Sequence, residues 1–145
     1  MTATASTVRA TGLYRRLQNE SRAAAADPVE LVTMLYDELE TAVGVLGAMV
    51  RQGQRISATE PAHRARAILI GLDVNLDRDK GGDVATALSR VYRSMRRKLD
   101  DAVAANSAEG LSELLEGLLT ISAAWRQLRY DRPPRQAHNK GPPFA

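Results

Sequence analysis

The sequence predicts an all-α fold, an antiparallel four-helix bundle, on three observations. Apolar residues recur at spacings of three and four in four successive stretches. Each stretch is bounded by capping, proline or paired-glycine signals. Aromatic residues make up only 4% of a chain that is 44% hydrophobic, so the core must be built from aliphatic side chains and alanine, and no alternating strand pattern competes. At 145 residues the chain is the size of one domain with one core.

The elements follow in order. Residues 1–26, rich in Ala, Thr and Ser, read as a flexible N-terminal arm with a short apolar and basic stretch around Leu13, Tyr14 and Leu17. Asp27-Pro28 opens the first helix, the aspartate as cap and the proline at a position that needs no N–H. Its stripe is Val32, Leu35, Leu39, Val43, Leu46 and Val50, and Arg51 to Glu60 reads as a loop. Thr59-Glu60-Pro61 opens the second helix, with Ala65, Ile68, Leu69, Leu72 and Leu76 on its face. Asp77 to Gly82 reads as a reversal, the glycines supplying positive φ, with Asp83 as cap of the third helix. That helix presents Val84, Leu88, Val91, Met95, Leu99 and Ala102. After a break at Asn106-Ser107 the fourth carries Leu111, Leu114, Leu115, Leu118, Ile121, Trp125 and Leu128. Pro133-Pro134 ends it, so the bundle is expected over 27–130 and a disordered basic tail over 131–145.

Charge and composition remove several function classes. From Arg126 onward, five basic residues face Asp131 alone, a charge of +4, so the other 125 residues sum to 3 − 4 = −1. A nucleic-acid reading wants a basic stripe on a folded face; Arg93, Arg96, Arg97 and Lys98 are followed directly by Asp100 and Asp101 and read as a solvated helix face. With no cysteine, a disulfide framework or thiol nucleophile is impossible, and the start of the chain lacks the apolar core of a secretion signal. The longest strongly apolar run, Ala67 to Leu72, is far short of the roughly 20 residues that span a bilayer, so no membrane insertion is expected.

No catalytic, cofactor or metal site is legible. Glu60-Pro61-Ala62-His63 has the Glu-x-x-His form of di-iron bundles, but such sites need that form twice, and Pro61 places this one at a helix start. No phosphate loop, nucleophile elbow or Ser/His/acid set is present, so a non-enzyme is expected.

The apolar residues exceed one stripe per helix. Val29, Leu31, Met34, Val45 and Met49 flank the first stripe, Ile70 and Val74 the second, and Leu119 adjoins Leu118. A wide core face and an exposed groove for an amphipathic partner both remain open at this point. The interior glycines Gly44, Gly47, Gly71 and Gly117 each cost about 0.5–1 kcal/mol relative to Ala. They are either tolerated weak points or places of close backbone approach.

The segment ADPVELVTMLYDELETAV resembles the first-helix signature of the FliS family of flagellin export chaperones. ILIGLDVNLDRDKGGDVATALSRVYRSMRRKL is similar to that family's passage from second to third helix, and Trp125 falls at its near-terminal tryptophan. Asp27 stands where the family has Ser, and Ala102-Val103 where it has Ala-Asn. The resemblance covers Asp27 to Leu128. It implies a cytoplasmic chaperone that binds the C-terminal helical segment of flagellin, prevents premature polymerisation and delivers it to the flagellar type III export gate. The implied partner-binding residues are Tyr14 and Leu17 in the arm and Leu31, Met34, Leu35 and Tyr36 in the first helix; the flanking apolar pattern adds Ile70 and Val74. An uncovered apolar groove would allow a homodimer of the empty protein. The alternative is a helical adaptor for a different secretion substrate or regulator.

Overall fold

The computed structural model describes residues 28–130, and the expected arm, with Tyr14 and Leu17, and the expected tail lie outside them. Four helices are present: α1 Pro28–Arg51, α2 Glu60–Val74, α3 Arg78–Ala105 and α4 Ala108–Tyr130. No β-strand occurs among the described residues. Side-chain pairs fix the directions. On α2 and α3, Arg66 meets Asp100 while Asp73 meets Arg93, so the two run antiparallel. Asp37 and Glu40 of α1 meet Arg126 of α4, with Ser122 donating to Glu40 at 2.5 Å, and that pair is antiparallel too. Each helix packs on its two neighbours in the cycle α1–α2–α3–α4, leaving α1 diagonal to α3 and α2 diagonal to α4.

The core is the expected aliphatic one, with Val32, Leu35, Leu39, Leu46, Ile68, Leu72, Leu99, Leu111 and Leu118 fully or nearly fully buried. Two tyrosines sit at its centre. The hydroxyls of Tyr36 and Tyr92 hydrogen-bond at 2.5 Å across the α1–α3 diagonal, and the Trp125 ring lies 6.1 Å from Tyr36 at 53°. Burial, above all other effects, holds both hydroxyls protonated well above the ordinary tyrosine value. A buried polar pair is tolerable only when satisfied, and here each hydroxyl is the other's partner.

One end of the bundle is closed by a side-chain clamp. Asn106 adopts the left-handed conformation (φ 51°) that ends α3. Its Oδ1 accepts from the Ile56 N–H at 2.9 Å, and its Nδ2 donates to the Gln54 carbonyl at 3.0 Å. The loop between α1 and α2 is thereby tied to the turn between α3 and α4, with Ile56 inserted into the core. Asn106 thus supplies a polar turn residue beyond Ala102-Val103.

The start of α3 differs from the sequence reading. Asp77, not Asp83, is the cap: its carboxylate accepts from the backbone N–H groups of Asp79 and Lys80. The helix therefore begins before the paired glycines, and Gly82 (φ 51°, ψ −126°) makes a kink inside it. The positive φ was the right expectation for Gly82; the reversal itself sits earlier, at Asn75 to Asp77.

A second difference lies on α3. Val84 and Val91, expected in its core stripe, are 58% and 36% exposed, whereas Ala85, Ser89 and Tyr92 are buried. In the first half of α3 the buried positions are thus one residue on from those expected, with Ser89 donating to Asp73 at 2.6 Å, while Met95, Leu99 and Ala102 are buried as expected.

Candidate functional site

α2 is a helix of 15 residues started by Pro61 in its first turn, where a missing N–H is harmless. Thr59 occupies the cap position but its hydroxyl donates to the Ile56 carbonyl at 2.6 Å, so α2 has no side-chain cap. The helix is held by burial instead. Every residue from Ala67 to Leu72 is buried, which one stripe of an amphipathic helix cannot produce. A stretch buried on every side has cover beyond the four-helix core.

The faces of α2 can be assigned from its partners. Ala65, Ile68, Leu69 and Leu72 point into the bundle core. Arg64 leans to α1, donating to Glu38 at 3.2 Å, while Arg66 and Asp73 lean to α3. The remaining direction, away from the bundle axis, carries His63, Ala67, Ile70 and Val74 at helical spacings. Ala67 and Ile70, 3% and 5% exposed, form a cluster of their own, separate from the bundle core. Val74, next along the same strip, is 54% exposed. From Ala67 to Val74 the strip is aliphatic, about two helical turns long, and bordered on both sides by ion-paired arginines. The Arg64–Glu38 pair sets α1 and α2 level at those residues. Met34, about one turn below Glu38 on α1, is half-buried and packs against the bundle core.

This geometry sorts the residues named from sequence. Ile70 and Val74 do lie off the core stripe, on the outward strip, while Met34 is half-buried against the bundle core. Leu31, Leu35 and Tyr36 do not: all three are buried members of the bundle core. Leu31 was expected beside the central stripe, but α2 packs against that flank of α1 and closes over it. Any contact these three make with a partner would have to displace core packing. Ala67 was missed as a site residue. Its signal was the unbroken run Ala67 to Leu72, too short for a membrane and too continuous for one amphipathic face.

The outward strip of α2 is aliphatic, with Ala67 and Ile70 buried and Val74 exposed. Among the described residues no group of three or more His, Cys, Asp or Glu gathers to hold a metal ion, and no helix is long and apolar enough to cross a membrane.

The model of the family described as flagellar protein FliS matches residues 10–132, and so spans the whole described bundle. The flagellar secretion chaperone FliS of Salmonella typhimurium is 36% identical over 117 residues, covering 79% of this chain and 86% of the relative. That of Vibrio cholerae is 29% identical over 127 residues, covering 87% of this chain and 89% of the relative. The flagellar secretion chaperone FliSB of Pseudomonas aeruginosa is 30% identical over 113 residues, covering 77% and 89%.

Proposed function

This chain belongs to the FliS family of flagellar proteins, and from that premise we propose that it is a cytoplasmic, non-enzymatic export chaperone. It holds the C-terminal helical segment of flagellin, keeps it from polymerising and hands it to the flagellar type III export gate. The observation that carries the reading is the outward strip of α2, where Ala67 and Ile70 are buried in a cluster apart from the bundle core and Val74, next along, is exposed.

The physics suits such a guest. A segment that is disordered alone and helical when bound loses chain entropy on docking, so it needs a continuous apolar contact. The strip sets Ala67, Ile70 and Val74 at the spacing that an amphipathic helix can match along its own face. Its aliphatic side chains lack fixed hydrogen-bonding demands, which lets one surface hold a helix by shape and burial. The flanking Arg64–Glu38 and Arg66–Asp100 pairs discourage lateral misplacement of an apolar ridge, because they would be desolvated without compensation.

The test is titration of the full-length protein with a peptide spanning the C-terminal helices of flagellin, by calorimetry and size-exclusion. A one-to-one complex with increased helicity is expected. Val74→Glu, at a half-exposed position, should leave the thermal melt unchanged and weaken binding tenfold or more, since a carboxylate would be buried against apolar surface. No binding at tens of micromolar sinks the flagellin reading and returns the protein to the class of adaptors for another secretion substrate. Binding that ignores Val74→Glu sinks the α2 strip as the berth.

A further inference from the structure

The cations on the long sides of the bundle fall into two groups. Arg64, Arg66, Arg93 and Arg126 each meet a carboxylate at 3.1–3.3 Å. Arg90, Arg97 and Lys98, on the outer side of α3, are exposed and take part in no ion pair among the described residues. From Val84 to Leu99 the helix carries five cations and no carboxylate, and of the five only Arg93 is paired. The same stretch holds Val84 and Val91, two of the large hydrophobic side chains that the bundle leaves exposed.

Their order around the helix follows from a turn of about 100° per residue. Arg93 and Asp100 meet Asp73 and Arg66, and so mark the side of α3 turned to α2. Moving outward from that side come Arg90 and Arg97, then Ala87 and Ser94, then Val84 and Val91. Each pair is seven residues apart, about 10.5 Å along the axis, and so lies on one line. The outer face of α3 therefore has a basic row and an aliphatic row running side by side. Only short side chains stand between them, so a single rod laid along α3 can touch both.

We propose that the outer face of α3, through Arg90 and Arg97 on one row and Val84 and Val91 on the other, docks an acidic amphipathic helix of another protein. Its carboxylates, seven residues apart, pair with the arginines, and the aliphatic row beside them covers the valines. Charge complementarity selects this occupant. The ends of the chain itself do not suit the face. Residues 1–26 hold four arginines against Glu20, 4 − 1 = +3, and residues 131–145 hold three cations against Asp131, 3 − 1 = +2, so both are repelled. A membrane surface is entered by large side chains such as Trp, Phe and Leu, and this face has only the two valines. A nucleic acid would take the cations but leave the valines unused, and no exposed aromatic on the face stacks a base. The proposal does not rest on the identity of the guest held by α2.

The probe is a labelled helical peptide of Ala and Gln with Glu at every seventh position and Leu on the adjoining row. Its binding to the full-length protein is followed by fluorescence anisotropy at about 150 mM salt, where exposed charges act over about 8 Å. Saturable one-to-one binding is expected below about 200 μM. Arg90→Glu combined with Arg97→Glu should weaken it about tenfold or more, and Val91→Asp about fivefold or more. These positions are exposed, so the thermal melts should stay those of the parent. Val74→Glu, on the α2 strip, should leave the probe's affinity unchanged. A peptide of the same composition with its Glu and Leu scattered around the helix should bind about fivefold more weakly or worse. Absence of binding up to about 200 μM overturns the proposal. So does equal binding of the scattered peptide, which would reduce the face to diffuse charge, or binding indifferent to the two arginines. Loss of binding on Val74→Glu would move the contact to α2, and preference for phosphatidylglycerol vesicles or a single-stranded oligonucleotide over the peptide would give the face to a membrane or a nucleic acid; each refutes it.

Discussion

Removing one hydroxyl from the centre of the bundle should cost more stability than removing two would suggest. Tyr36 and Tyr92 are both fully buried and joined at 2.5 Å across the α1–α3 diagonal. Each substitution therefore strips the partner from the hydroxyl that remains. A buried donor or acceptor deprived of its partner costs about 1–3 kcal/mol. The expected loss is about 1–3 kcal/mol for Tyr36→Phe and for Tyr92→Phe alike. In the double variant the two phenyl rings keep the packing and no tyrosine hydroxyl is left stranded, so its loss should fall short of the sum by about 1 kcal/mol or more. Urea denaturation followed by Trp125 fluorescence and by circular dichroism measures all three values. Strict additivity, or single losses below about 0.5 kcal/mol, would refute the claim that the hydroxyls satisfy each other. The same pair sets an alkaline limit. Burial raises both hydroxyls above the ordinary tyrosine value, so their contribution is whole below about pH 10 and declines as pH rises above it, where the unfolded chain gives up its protons first. Stability of the parent should therefore fall more steeply above pH 10 than that of the double phenylalanine variant.

Other outcomes follow from burial and from the clamp. Leu31→Glu should unfold the bundle, since it places a carboxylate in the core beside α2, and a cooperative melt near the parent's temperature would return Leu31 to the surface. Leu72→Ala should cost about 2–5 kcal/mol by chemical denaturation. Asn106→Gly keeps the left-handed backbone but loses the bonds to Ile56 and Gln54, so its cost, about 1–2 kcal/mol, should appear with faster hydrogen exchange at the Ile56 amide. Asn106→Ala should cost more, having lost the backbone tolerance as well.

Most of the fold was legible because it depends on signals local to the chain. The break at Arg51 to Glu60, Pro61 at a helix start and the stripes of α1 and α4 are each written within a few residues. The start of α3 was not, because Asp77 and Asp83 are equivalent caps on paper. The choice went to Asp77, whose carboxylate receives two N–H groups, and Gly82 absorbed the resulting bend. The placement of Val84 and Val91 also escaped, since periodicity fixes which residues share a face but not where a neighbouring helix stops covering it. The site was half legible. An excess of apolar residues on α2 was visible, and Ile70 and Val74 were rightly set apart from the core stripe. Which flank of α1 would be closed by α2 was not, and that misplaced Leu31. Spacing gives directions around each rod; only packing says which directions are occupied.

Because the four helices alternate in direction, Pro28 and Tyr130 open and close the bundle at the same end, while the Asn106 clamp is at the other. A short linker could therefore join those two positions, with a new opening cut in the α1–α2 loop, and the rearranged chain would keep every helix contact. The chain on either side of the bundle is likewise joined to it at that one end.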